Sequence, residues 1–354
     1  MTKEFTKGNE ALAYGALKAG LNAYFAYPIT PSSEIPETLA KEFGNPAYPD
    51  FKVFLQAASE LEAINMVIGA ASTGAKVMTA TSGPGFSLKQ EGISYAAAME
   101  VPLLVVDVNR AGPGLGNLGP EQSDYFQATK GGGHGGYRNI VLAPNSVQEM
   151  ASFPRLAFSL AFKYRNPAVI LADTLIGQLK EDITFPDIEP EKFETPWATT
   201  GAKGDERHLI VSLHLDFEEQ SKHSEGLRMK YEKIDAAEQR AESYLTDNAD
   251  VVFVAYGVVS RLCKGVVNRL RETGVRAGLF RPITLSPFPN KQLSELAETN
   301  RRFEVVELNM GQMVYDVKLA VGNDSKVGTI QKLGGLLPTT SEIISRTQEL
   351  VAHA

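Results

Sequence analysis

Two glutamates, Glu60 and Glu62, follow Ser59 inside the run LQAASELEAINMVIGAASTGAKVMTATSGPG from Leu55 to Gly85. Ser59-x-x-Glu62 fits a capping box, in which the serine hydroxyl takes the Glu62 amide and Glu62 reaches back to the amide of Ser59. That spacing gives Glu62 a structural job and leaves Glu60 free. Glu60 then either complements the positive helix end, worth about 0.3–1 kcal/mol, or serves chemistry. Leu61, Ile64 and Ile68 recur at helical spacing, while Ala63, Ala70, Ala71 and Gly74 let another backbone or a flat ring approach closely.

Three other stretches carry groups of the same kind. After the apolar run Ala23 to Tyr27 comes Pro28-Ile29-Thr30-Pro31-Ser32-Ser33. Its prolines fix the backbone and remove amide donors, so the turn presents Thr30 rigidly, with Ser32 or Ser33 available to cap the next helix. Ser82-Gly83-Pro84-Gly85 leaves a second apolar run. Arg110 ends a third, PLLVVDVNR, where its planar fork suits a carboxylate, or else an ion pair with Asp107 or Asp124. A glycine-dense stretch, Ala111 to Gly136, follows. Gly114-x-Gly116-x-x-Gly119 has the GxGxxG spacing, but no clear helix opens within the stretch as a dinucleotide fingerprint requires, and the nucleotide P-loop pattern is absent, so it reads as a long functional loop or lid. His134 within it has glycines on both sides; alone, without Cys, His or Asp neighbours, it makes no metal site. Its readings are a structural or gating role, or contact with substrate.

The elements that position these groups follow an α/β rhythm. Helices are predicted over Asn9 to Gly20, Glu34 to Phe43, Phe86 to Met99 and Ser146 to Tyr164. Strands are predicted at Ala23 to Tyr27, Val53 to Gln56, Lys76 to Ala80, Pro102 to Val108, Ile140 to Leu142 and Ala168 to Asp173. The continuous apolar runs suit parallel strands buried on both faces, and ligands of open α/β sheets bind at the carboxyl ends of strands. Proline and charge dominate from Pro186 to about Ala249, read as a linker and a polar helix, Ser224 to Tyr244, whose charges form a solvated or docking face. A second α/β set, without a cluster of reactive groups, begins at Val251 and is assigned to packing against a partner or a second copy. The expected division is therefore 1–190, a linker with charged helix over 191–248, and 249–354.

Composition narrows the function. The chain has 354 residues, 43% hydrophobic and 22% charged, enough for two or three folded domains. A net charge of −7 supplies no basic footprint for nucleic acid or an anionic membrane. One cysteine, Cys263, excludes an internal disulfide and a Cys₄ iron–sulfur cluster within this chain, so any electron transfer would be carried by another chain. MTKEFTKGNEALAYG has no signal-peptide core and no long apolar run occurs, which gives a cytoplasmic expectation.

Taken together, GNEALAYGALKAG, YPITPSSEIPE, SELEAINMVIGA, TATSGPGFSLKQEGISYA, PEQSDYFQATKGGGHGGYRNIVLAPNSVQEM and RPITLSPFP resemble the alpha subunit of the thiamine-diphosphate-dependent 2-oxoacid:ferredoxin oxidoreductases, most of all the branched-chain (2-oxoisovalerate) members. The resemblance covers nearly the whole chain. It implies two open, mainly parallel-sheet domains, the first a pyrimidine-binding domain and the second like the transketolase C-terminal domain. It implies oxidative decarboxylation of a 2-oxoacid with coenzyme A, giving acyl-CoA, CO₂ and reduced ferredoxin. Glu60 corresponds to the glutamate that bonds the aminopyrimidine, Thr30 to a hydroxyl near substrate and cofactor, and Arg110 to the arginine for the 2-oxoacid carboxylate. Pro28, Ile29, Ser82, Gly83 and Gly85 complete the expected cofactor contacts. No metal is expected in this chain. A beta subunit would hold the diphosphate, Mg²⁺ and an iron–sulfur cluster, beside a gamma subunit and a ferredoxin-like delta subunit. A 2-oxoglutarate enzyme would need another cation, for which Lys130, Arg138 and the partner chain are candidates. A non-catalytic assembly subunit is the alternative of another class.

Overall fold

The structure, a computed structural model, describes residues 3–186, 188–201, 207–299 and 301–352. The chain begins with β1 (Lys3–Lys7), α1 (Gly8–Lys18), β2 (Ala23–Ala26), α2 (Glu34–Glu42), β3 (Val53–Gln56), α3 (Glu60–Ala71), β4 (Val77–Thr81) and α4 (Pro84–Ala98). It continues with β5 (Leu104–Asn109), α5 (Tyr125–Thr129), β6 (Ile140–Leu142), α6 (Val147–Tyr164), β7 (Ala168–Asp173), α7 (Thr174–Gln178) and β8 (Lys180–Thr184). After α8 (Phe217–Ala237) come β9 (Ala241–Tyr244), β10 (Val251–Val254), α9 (Gly257–Glu272), β11 (Ala277–Pro282), β12 (Thr284–Ser286) and α10 (Asn290–Ala297). The last elements are β13 (Arg302–Glu307), α11 (Met313–Val321), β14 (Val327–Gln331) and α12 (Thr340–Ala352).

Two mainly parallel sheets result. The first has seven strands in the order β12-β6-β7-β5-β4-β2-β3, and the second five, β14-β13-β10-β11-β9. Only the last strand at one edge of each, β12 and β9, runs antiparallel to its neighbour. Strands β4, β5 and β7 are buried along their whole length, as expected for strands covered on both faces. One face packs on α1 and α6 through residues such as Leu12, Met150 and Phe158. The other packs on α3 and α4, and its apolar core runs on without a break into Val252, Phe280 and Phe303 of the second sheet.

Local signals explain most boundaries. Ser59 Oγ accepts the Glu62 amide at 3.2 Å, while Glu62 Oε2 accepts the amide of Ala58, one residue earlier than a strict capping box requires. Helix α4 starts at Pro84 instead of Phe86, because proline suits a first turn that needs no amide donor. Neither serine of the Pro28–Ser33 turn caps α2; the Ser32 hydroxyl donates back to Ile29 O at 2.8 Å. The charged helix begins at Phe217, seven residues before its expected start, because the Asp216 carboxylate accepts the amides of Glu218 and Glu219. Tyr244, expected at its end, lies in β9. The glycine-dense stretch is divided by α5 and does not form one continuous lid.

Long-range polar ties join the two sheets. Arg281 on β11 is 2% exposed and its guanidinium binds both oxygens of Glu149 on α6, besides Ala143 O at 3.0 Å and Glu242. Glu149 is fixed in turn by the Ser146 cap at the start of α6. Removing one partner would leave the other charge unpaired in the interior. Arg281→Ala is expected to destabilise the chain by about 3–5 kcal/mol, read as a lowered urea midpoint, whereas a loss under about 1 kcal/mol would show the tie to be dispensable.

Candidate active site

Four neighbouring strands of the first sheet, β3, β2, β4 and β5, end at one edge, and each delivers one of the groups singled out by the sequence. β3 leads through Ala57–Ser59 into Glu60 at the start of α3; β2 leads into Pro28-Ile29-Thr30; β4 into Ser82–Gly85; β5 into Arg110. Arg110 Nη1 donates to Thr30 O at 2.8 Å, which ties two of these ends together and leaves the Thr30 side chain exposed. No ion pair joins Arg110 to Asp107 or Asp124 among the described residues; its charge acts on Asp124 from a distance, lowering the cost of ionising it.

Glu60 is 7% exposed, yet among the described residues no donor reaches its carboxylate, which is the more telling because buried carboxylates are normally paired. The carboxylate lies against Gly85: a Cβ there would stand 2.7 Å from Glu60 Oε1. Gly83, two residues earlier, turns the chain with φ of +41°, a conformation that favours glycine, and its other side faces the Arg110 side chain. The hydroxyls of Thr81 and Ser82 are buried without partners at the same place. The edge thus carries one unpaired acid, two idle hydroxyls and a tight glycine turn.

Beside Arg110 opens a cavity of about 800 Å³. Pro84 and Leu88 of α4, Pro113 and Leu115 of the glycine stretch, and Met310 and Leu333 of the second unit make much of its wall. Lys130 and Arg138 do not line it. Lys130 Nζ is paired with Asp316 of α11 at 2.5 Å, and Arg138 with Asp235 of α8 at 2.6 Å. His134 lies in a separate hollow with Tyr95 and His223. Among the described residues no group of three or more His, Cys, Asp or Glu is arranged to hold a metal, and no helix is long and apolar enough to cross a membrane.

Residues 14–245 match the family model described as pyruvate flavodoxin/ferredoxin oxidoreductase, thiamine diphosphate-binding, and residues 249–343 match that of pyruvate:ferredoxin oxidoreductase core domain II. The chain belongs to this family of 2-oxoacid oxidoreductases. It is 48% identical over 355 residues to a ketoisovalerate oxidoreductase subunit VorB of Methanothermobacter marburgensis, covering 100% of this chain and 99% of that one. A 2-oxoglutarate synthase subunit KorA of the same organism is 38% identical, covering 98% and 99%. Among solved structures, a 2-oxoglutarate:ferredoxin oxidoreductase from Magnetococcus marinus, bound to 2-oxoglutarate, coenzyme A and succinyl-CoA, superposes with a TM-score of 0.88 at 27% identity. It matches 98% of this chain, which spans 65% of that longer one. A split-gene transketolase superposes with a TM-score of 0.63 at 14% identity and 98% coverage of both chains, a likeness of fold. The chain is therefore an alpha-type subunit whose first unit matches a thiamine-diphosphate-binding domain and whose second matches core domain II, in a fold shared with transketolase.

Two features of this family member were not singled out from its sequence. Lys89 on α4 is fully buried, with its Nζ 3.3 Å from the backbone oxygen of Glu60. Its signal was present in the spacing: Phe86, Lys89 or Gln90, and Ile93 share the inner face of a helix. The second is a pair of buried carboxyls beneath Gly83. Asp107 is fully buried, and burial together with the Asp124 carboxylate pushes its pKa well above the ordinary carboxylate range. Burial also raises Asp124, against donation from Asp107 and Asn109. The two share a proton that Asp107 keeps. An acid with a raised folded pKa stabilises fully below its unfolded value, near pH 4, and loses that contribution as pH rises toward the folded one. Asp107→Asn keeps a donor for Asp124, so its stability should gain on the wild type between about pH 4.5 and 7.5. Urea midpoints across that range check this, and parallel curves would contradict it.

Proposed function

We propose that this chain is the thiamine-diphosphate-binding alpha subunit of a branched-chain 2-oxoacid:ferredoxin oxidoreductase, acting on 2-oxoisovalerate or a close analogue. The observation that carries the substrate class is the cavity beside Arg110. Among the described residues Arg110 is the only cation that lines it, and most of its wall is apolar. A branched alkyl group fits such a wall, whereas a second carboxylate would be buried there unpaired. Lys130 and Arg138, the cations considered for a distal carboxylate, are engaged with Asp316 and Asp235. The relative at 48% identity, named a ketoisovalerate oxidoreductase subunit, agrees with this reading.

The residues present fit thiamine diphosphate. Glu60, a carboxylate lacking a protein donor among the described residues, is suited to a ring nitrogen; Gly85 lets its carboxylate lie close against the loop; and the unpartnered Ser82 hydroxyl, with Gly83 and the Pro28-Ile29-Thr30 turn, stands at the same edge of the sheet. Bound thiamine diphosphate supplies the nucleophilic carbon and electron sink for decarboxylation. Glu60 would hold and exchange a proton with the ring nitrogen through its carboxyl oxygen, in a place dry enough for that bond to count. Arg110, steadied by Thr30 O, would fix the substrate carboxylate with its remaining donors. The diphosphate, Mg²⁺ and iron–sulfur clusters are assigned to a beta subunit, with gamma and ferredoxin-like delta subunits, coenzyme A as acyl acceptor and ferredoxin as electron acceptor. A cytoplasmic setting suits the low-potential chemistry.

In the complex reconstituted with its partner subunits, kcat/KM for 2-oxoisovalerate should exceed that for 2-oxoglutarate by about a hundredfold or more, followed by ferredoxin or viologen reduction. The reverse order would make this a 2-oxoglutarate enzyme. Glu60→Gln should lower kcat by about 10²–10⁴-fold with assembly intact. Full turnover in that variant would remove Glu60 from its role, and absence of saturable thiamine diphosphate binding by the wild-type complex would favour a non-catalytic assembly subunit.

A further inference from the structure

A lysine fully withdrawn from water is uncommon, and Lys89 is held there by little. Its side chain is 0% exposed, and its one hydrogen bond, 3.3 Å long, goes to a neutral carbonyl, that of Glu60. A methionine or leucine would fill the same volume without the cost of burying an ammonium. The placement is nevertheless specific. Lys89 stands one helical turn after Gly85, and Gly85 is where the Glu60 carboxylate rests. Lys89 therefore lies beneath that carboxylate, on the helix that packs against α3.

The charges around Lys89 are few. On α3, Glu60 faces it and Glu62 is exposed; on α4 itself, Glu91 is exposed and engaged by Tyr95; from β4 the nearby polar group is the uncharged Thr81 hydroxyl. Glu60 is the acid whose charge favours the lysine's protonated form, while burial lowers its pKa to about 8. Among the described residues the Lys89 Nζ bonds the Glu60 backbone oxygen and forms no ion pair with its carboxylate, so the lysine leaves the carboxylate oxygens free for another partner.

We infer that Lys89 is a positioning residue for the cofactor site: its buried ammonium is the fixed counter-charge that keeps the Glu60 carboxylate aimed when a ring nitrogen covers it and water is excluded. The inference rests on the proposed role of Glu60. A neutral core lysine would do nothing of the kind, and the two are separated by how cofactor affinity depends on pH.

The test is equilibrium titration of the reconstituted complex with thiamine diphosphate and Mg²⁺ between pH 6.5 and about 9.5, a range that brackets the lysine's titration. Wild-type affinity should fall as pH rises past about 8, because the counter-charge is lost on deprotonation. Lys89→Met, which retains most of the volume, should bind about tenfold more weakly at pH 7, the equivalent of one charge-assisted hydrogen bond, and should lose the alkaline limb. Lys89→Arg, charged throughout, should lose the limb while keeping more of the affinity than methionine, and stands in if the methionine variant fails to assemble. Unchanged affinity and an unchanged limb in either variant overturn the inference. Glu60→Gln is the control: if it binds the cofactor as the wild type does, the proposed role of Glu60 fails, and if it loses binding while the lysine variants do not, only the inference about Lys89 fails.

Discussion

A carboxylate on a buried residue, with no protein donor to meet it among the described residues, is the constraint around which this molecule is arranged. Glu60 is 7% exposed yet unpaired, where buried carboxylates are normally paired, and its surroundings hold it there. The N-terminus of α3 favours the negative charge. Ser59 and Glu62 take care of the helix end, so that Glu60 need not. Gly85, lacking a side chain, lets the Glu60 carboxylate lie against the loop, and Lys89 supplies a positive charge from the neighbouring helix. Each of these is a local choice of residue, and together they keep an acid available for a ligand instead of a neighbour.

The same edge depends on the second unit. The cavity next to Arg110 is closed by residues around Met310, Gln312 and Leu333, which come from far along the chain. Their placement follows from ties such as Gln122, whose side chain bonds Tyr256 O and the Leu308 amide, and Tyr125, whose hydroxyl donates to Asp316. Asp173 at the end of β7 accepts amides from both units, those of Ile176 and Val258. The second unit, read from its sequence as a packing module without reactive groups, thus also supplies part of the wall of the cavity.

What could be read in the sequence was what local rules encode. Apolar runs marked β5 and β7, the Ser59 and Ser146 caps marked α3 and α6, and the prolines around Thr30 marked a rigid turn. The gathering of Thr30, Glu60, Gly83 and Arg110 at one edge followed from strand direction alone. Long-range pairing was hidden. Lys130 and Arg138 resembled free cations because Asp316 and Asp235 lie about a hundred residues or more away. Lys89 passed as an ordinary helix lysine, since nothing local says that its neighbour across the helix crossing is Glu60. The glycine stretch looked like one lid because the helix that divides it, α5, spans five residues and has too few turns to show a period.

One short strand links these levels in another way. β12, a piece of the second unit, adds antiparallel to β6 and so covers a flank of the seven-stranded sheet that would otherwise present open backbone groups. An uncovered flank is an adhesive surface for other chains. The first unit made alone, without β12 and without Arg281 for Glu149, would expose both a sticky border and a stranded charge. Its solubility is therefore borrowed from the second, and any rearrangement of genes that separated the two would have to provide a substitute for three residues of strand.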